Sequence, residues 1–332
     1  MPLPMIAIFA TSVIGTIHPA DHAYTRRFKP DAAEGMARFQ KLLVALAVIA
    51  TAACSPTLLN LTVPRSGYSV YRNIAYGPDT RQKLDIYVPD GLKSTAPVVL
   101  FFYGGNWQSG SKDDYLAFGQ AFASEGFVVA IADYRLYPAV KFPAFLEDGA
   151  KAFRFIHDDA GLYGGDPARV FIAGHSAGAY NAVMLVADPH YLKDAGADIS
   201  WVRGAIGIAG PYDFLPLRDP MLIDLFGGAA REVTQPIHFI DGKRPAMLLA
   251  TGSDDETVLP RNTANMTARL RGFGSPVEQK IYPGIGHIGI LLSLAGLFRS
   301  RTSLRDDMAA FIRANQPVVG RLAVPLLCSR TR

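Results

Sequence analysis

The chain has 332 residues, 49% of them apolar and 19% charged, below the ~25% charged share of an average soluble domain. Its 11% of aromatic residues exclude a disordered or collagen-like polymer, and no apolar run reaches the ~18 residues of a membrane-spanning helix. Against 33 basic residues stand 29 acidic ones, a net charge of +4, with no basic block long enough for a nucleic-acid footprint.

Reading from the amino terminus, Met36 to Lys41 carries two basic residues, Leu42 to Ala50 is an apolar core, and Thr51-Ala52-Ala53-Cys54 closes it with small residues. That is the pattern of a signal peptide. Cys54 resembles the lipid-accepting cysteine of bacterial lipoproteins, although Thr51 stands where that motif prefers Leu. The expectation is that translation starts at Met36, that residues 1–53 are an N-terminal extension and signal peptide, and that the protein is exported, periplasmic or anchored to the outer membrane through Cys54. The alternative is a cytoplasmic protein with a genuine 53-residue extension. Cys54 and Cys328 are the only cysteines, so no disulfide framework is expected. No Cys or His pair has ligand spacing, so no metal is expected; no other cofactor is expected either.

Residues 54–66 read as a linker, 67–315 as one domain and 316–332 as a tail. Within the domain, Tyr68–Tyr76 and Gln82–Val88 are strands split by the turn Gly77-Pro78-Asp79. Pro97–Tyr103 is a continuous apolar run, the signature of a strand buried on both faces. A helix over Lys112–Ser124, a buried strand over Phe127–Tyr134 and a helix over Phe145–His157 follow. Val170–Gly174 is a strand feeding the apolar helix Ala177–Val186. Beyond it come a strand at Gly204–Gly210, an irregular Pro-rich stretch at 211–244, a strand at Ala246–Thr251, a helix at Asn262–Arg271 and a last strand at Val277–Tyr282. Helical patterning, interrupted near Gly296, closes the chain over 288–314. Strands alternating with helices of this length imply a mostly parallel sheet covered on both faces, an α/β fold in one domain.

Gly174-His175-Ser176-Ala177-Gly178 fits G-x-S-x-G between a buried strand and a helix. A tight strand-to-helix turn exposes the serine oxygen, and the helix start offers free N–H groups to an oxyanion. A serine hydroxyl needs a base, itself oriented by a carboxylate. Downstream stand only His190, His238 and His287; His287 follows the last strand in a Gly-rich loop and is the choice. For the acid, Gly252-Ser253-Asp254-Asp255-Glu256 follows a strand at the end where open α/β sheets build sites, and the residues alone leave three adjacent carboxylates open. Asp213 is the runner-up. Tyr103-Gly104-Gly105-Asn106-Trp107 ends an earlier strand, where glycines let backbone N–H groups approach an oxyanion.

Together with Asp133-Tyr134-Arg135-Leu136, Phe142-Pro143-Ala144 and Gly164-Gly165-Asp166-Pro167, these stretches resemble the α/β-hydrolase esterases. The branch resembled is that of hormone-sensitive lipase and feruloyl-esterase-like carboxylesterases, from about Tyr68 to Ala314. The resemblance implies the α/β-hydrolase fold without a large lid, lands the acid on Asp255 and puts oxyanion N–H groups on Gly105, Asn106 and Ala177. Tyr103 stands where that branch usually has His, a residue that supports the loop. Asp148 and Asp166 also match family positions, with capping or pairing to Arg135 or Arg169 as their expected role. The implied function is a serine hydrolase using Ser176, His287 and Asp255 through an acyl-enzyme, on a small-molecule ester with a short acyl chain. Its rivals are an arylformamidase-like amidase and a non-catalytic binding module on the same fold. The run Ile288–Phe298 is apolar on nearly every helical face, so it is expected to be buried, as a wall of an acyl pocket or as ordinary core.

Overall fold

Strands whose residues are apolar at nearly every position occupy the middle of one sheet, and strands that alternate or carry charge occupy its edges. The computed structural model describes residues 60–316, in which eight strands run in the order β1-β2-β4-β3-β5-β6-β7-β8. They are β1 Tyr68–Ala75, β2 Lys83–Pro89, β3 Ala96–Phe102, β4 Val128–Ala132, β5 Gly165–His175, β6 Val202–Ile208, β7 Ala246–Gly252 and β8 Val277–Tyr282. In β4 every residue is buried, as a strand covered on both faces requires, whereas the edge strands β1 and β8 carry exposed residues. The strands β1 and β2, and β2 and β4, pair antiparallel; the other neighbours pair parallel.

The helices are α1 Leu116–Ala123, α2 Ala144–Asp159, α3 Ala177–Ala187, α4 His190–Asp194, α5 Pro220–Phe226, α6 Arg261–Gly272, α7 His287–Leu292 and α8 Leu304–Ala314. Right-handed crossovers carry α1, on the way from β3 to β4, and α2, on the way back from β4 to β5, to opposite faces. Arg305 of α8 reaches Ser124 and Glu125 beyond α1, so α1 and α8 share one face. The chain reverses its direction of winding between β3 and β5, and the crevice outside their carboxyl ends is where such sheets bind ligands. The loop after β3 and the turn after β5 meet there, with Phe102 paired to Gly174.

Three expectations are adjusted. The helix read at 112–124 splits into a 3-10 turn, Lys112–Tyr115, and α1. Strand β5 begins at Gly165 because Gly165 pairs with Ala96 ahead of a register shift. The run 288–298 breaks near Gly296 as read, with α7 ending at Leu292 and a 3-10 turn beginning at Gly296, but it is not buried throughout. Ile290, Leu294 and Ala295 are buried, but Ile288 is 53% and Leu297 69% exposed. The targeting segment read at 36–54, with Cys54 and Cys328, lies outside the described residues.

Candidate active site

The turn joining β5 to α3 sets Ser176 at φ 55°, ψ −123°, a left-handed conformation disfavoured for any residue with a Cβ. Tight packing holds it there. A Cβ on Gly174 would come within 2.2 Å of the Gly178 oxygen, and one on Gly178 within 2.0 Å of the Phe102 oxygen. The Ser176 N–H donates to the Ile208 carbonyl at 2.9 Å. We expect Gly178→Ala to cost about 1–3 kcal/mol or more, because overpacking against backbone has no side chain to displace. That should lower Tm by several degrees in a thermal melt and reduce hydrolysis with it; an unchanged Tm would contradict this account of the turn.

Three side chains from three loops converge. His287, at the start of α7, places Nε2 2.9 Å from Ser176 Oγ and Nδ1 2.8 Å from Asp255 Oδ2. Asp255 is 2% exposed, and its other oxygen accepts from the N–H groups of Thr257 and Val258 at 3.0 and 2.8 Å. The neighbouring Asp254 is exposed and accepts from Ser253 Oγ. Asp213 accepts from Asn265 Nδ2 at 2.6 Å and forms no hydrogen bond or ion pair with His287, whose ring nitrogens are taken by Asp255 and Ser176. His190 pairs with Asp188 at the surface, and His238 is exposed.

His175, between the glycine and the serine of the turn, is a contributor that motif reading passed over. Its Nε2 lies 3.1 Å from the His287 carbonyl, so that nitrogen carries the hydrogen and donates. Burial, reinforced by the neighbouring His287, pushes its pKa down to about 3, so the ring stays neutral. It thereby ties the turn after β5 to the start of α7.

The loop after β3 approaches Ser176 closely; a Cβ on Gly104 would lie 2.9 Å from Ser176 Cβ. Gly105, Asn106 and Trp107 take φ values of 126°, 54° and 57°, a backbone curl whose Gly105 carbonyl accepts from the Gln108 and Ser109 N–H groups. Ala177 opens α3, where first-turn N–H groups have no intrahelical acceptor. Several groups brace the loop. Tyr103 is buried, donates to Asp133 Oδ1 at 2.8 Å and accepts from Arg81 at 2.6 Å, with its ring stacked on Tyr115 and Tyr134. It thus gives the support expected of a residue at that position. The Trp107 indole N–H donates to Asn181 Oδ1 at 3.0 Å; Asn181 is an amide in the otherwise apolar α3, and that mismatch was the available signal. Arg81 has no local signature. Asp148 and Asp166 pair with Arg135 and Arg169, both at 2.7 Å.

Above Ser176 opens a cleft of about 1280 Å³, lined by Gly105, Asn106, Ala177, Phe214, Leu291 and Leu292 among others. The segment between β6 and β7 supplies one wall through Pro216, Leu217 and Leu222 rather than forming a large lid. Among the described residues, no group of three or more His, Cys, Asp or Glu side chains is arranged to hold a metal.

The BD-FAE family model matches residues 84–270, more than half of the chain and all of the sheet but its edge strands β1 and β8 and the first residue of β2. The chain belongs to the BD-FAE family. A probable isoprenylcysteine alpha-carbonyl methylesterase of Oryza sativa subsp. japonica is 26% identical over 289 residues, covering 76% of this chain and 68% of that protein. Carboxylesterase NlhH of Mycobacterium tuberculosis is 36% identical over 116 residues, 34% of this chain and 36% of its own length. The chain spans between 52% and 68% of the length of the plant methylesterases it matches. Among solved structures, the butyrate-bound esterase Est2 of Thermogutta terrifontis superposes with a TM-score of 0.59 at 23% identity, covering 74% of this chain and 94% of that one. The matched region of this BD-FAE member is a carboxylic ester hydrolase on the α/β-hydrolase fold.

Proposed function

We propose that this BD-FAE member is a serine carboxylesterase working through a Ser176–His287–Asp255 triad and an acyl-enzyme. The observation that carries the reading is the hydrogen-bonded chain from Ser176 Oγ through His287 to the buried Asp255, at 2.9 and 2.8 Å. Ser176 Oγ attacks the acyl carbonyl while its proton passes to His287 Nε2. Asp255 keeps the hydrogen on Nδ1, so Nε2 is free to accept, and it stabilises the imidazolium. The N–H groups of Gly105, Asn106 and Ala177 stabilise the tetrahedral oxyanion. His287 then returns the proton to the departing alcohol, and water, deprotonated by the same nitrogen, releases the acid.

The acyl chain lies against Leu291 and Leu292, which favours short chains of about two to eight carbons, since a methylene that does not fit loses the gain of one that does. The butyrate bound to Est2 is consistent with such a preference. A screen of p-nitrophenyl esters from acetate to palmitate, run beside N-formylkynurenine, tests the reading. We expect a maximum among the short esters, with a burst of p-nitrophenol as the acyl-enzyme accumulates. Preference for the formamide would replace the ester reading with an amidase, and inactivity on all of them would leave a binding module. In the same screen Leu291→Ala and Leu292→Ala should each shift the profile toward longer chains, with up to about fourfold in kcat/KM per accommodated methylene, equivalent to ~0.8 kcal/mol. An unchanged profile in both would assign these leucines to packing alone.

A further inference from the structure

The cleft exceeds what a short acyl ester fills, at about 1280 Å³ against the ~300–1,000 Å³ of ordinary small-molecule sites. Its lining is largely apolar, with Phe118, Leu291 and Leu292 from α1 and α7 and Leu217 and Leu222 from the segment after β6. The segments after β6 and β7 add its two cations, Arg218 and Arg261.

These two arginines are unusual in this protein. Arg135 clasps Asp148, Arg244 holds Asp241 and two carbonyls, and Arg305 and Arg313 share Glu125. Among the described arginines only Arg218, Arg261, Arg271 and Arg301 have no side-chain hydrogen bond, ion pair or ring contact, and the first two line the cleft. Asp219, beside Arg218, caps α5 by accepting from the Met221 N–H at 2.8 Å and forms no ion pair with it. The other carboxylate of the cleft, Asp114, follows β3. In the strand order β3-β5-β6-β7 it falls on one side of the Ser176 turn, and the arginine-bearing segments fall on the other.

Those two segments are joined. Asn262, buried next to Arg261, accepts from the N–H groups of Tyr212 and Asp213 at 3.0 and 2.9 Å, fixing the start of α6 to the loop that leads to Arg218. Arg261 also stands in the first turn of α6, where a cation opposes the helix dipole. Helix energetics therefore gives no reason for its charge. Two guanidinium forks beside apolar walls, without internal partners, suit a planar anion.

We propose that Arg218 and Arg261 form an anion-recognition wall, and that the preferred ester carries a carboxylate remote from the scissile bond. The inference rests on the serine-esterase reading and adds the substrate class to it. The carboxylate can belong to the acid or to the alcohol, and two matched pairs of esters separate these sources. One pair is mono-p-nitrophenyl adipate and its terminal amide; the other is 3-(butyryloxy)benzoate and 3-(butyryloxy)benzamide. For the full chain we expect one anionic ester to exceed its neutral partner about tenfold in kcat/KM, through KM, and to lose that lead as salt rises. The ratio should fall to about one in R218Q/R261Q and recover in part in R218K/R261K, with thermal melts confirming folding. Ratios near one for both pairs in the parent, or a preference that survives in R218Q/R261Q, would overturn the inference while leaving the esterase reading intact. Failure to hydrolyse any of the four esters would overturn the esterase reading and this inference with it.

Discussion

Ser176→Ala should abolish ester hydrolysis while leaving the protein folded. The substitution removes one oxygen, whose side-chain partner is His287 at 2.9 Å, and keeps a Cβ in the same left-handed backbone, so the turn loses no packing. Removing the nucleophile of a triad costs on the order of 10⁶ in kcat, and what remains comes from oxyanion donors and binding alone. Steady-state rates with p-nitrophenyl butyrate and a thermal melt check both halves of the expectation. Activity within tenfold of the parent would mean that another group attacks the carbonyl.

Asp255→Asn should come next in size, with a loss on the order of 10⁴ in kcat, whereas Asp254→Asn should change kcat by no more than a few-fold. The reason is tautomeric. An amide opposite His287 Nδ1 presents an N–H donor to it, which makes Nδ1 an acceptor and moves the hydrogen to Nε2. That nitrogen faces Ser176 and can then no longer take its proton. Because Asp255 Oδ1 is occupied by the Thr257 and Val258 N–H groups, the new amide has little choice but to turn its nitrogen toward the imidazole. Asp254 is exposed and touches only Ser253 through its side chain. Equal, mild losses at both positions would move the acid to Asp213.

How far the sequence discloses this site depends on how local each determinant is. The turn around Ser176 is written in five consecutive residues, because both glycines face backbone closer than any side chain allows. The central strands are equally legible, since burial on both faces leaves only apolar residues. The choice among Asp254, Asp255 and Glu256 is not local. It is fixed by the backbone beyond β7, where a Cβ on Gly252 would meet the Ile285 oxygen at 1.9 Å and the hydrogen bond from the Asp254 N–H to Ile285 leaves the next carboxylate pointing inward. Residues alone left it open; the family resemblance resolved it. Arg81, His175 and Asn181 were missed because their partners Tyr103, His287 and Trp107 lie 22, 112 and 74 residues away. The run after His287 was legible in part. Its interruption at Gly296, where a 3-10 turn begins, shows in the sequence, and Ile288, Leu291 and Leu292 line the cleft, but its composition overstated its burial, since Ile288 and Leu297 are exposed.

The central claim is that Ser176 is the nucleophile, and covalent trapping tests it most directly. A fluorophosphonate reacts with a serine activated by its base and leaves a stable phosphonyl adduct. Incubated with such a probe, the intact protein should gain the mass of one adduct, peptide mapping should locate it on Ser176 within Gly174–Gly178, and Ser176→Ala should gain none. No adduct on the folded parent, or one that maps to another residue and persists in Ser176→Ala, would contradict the account.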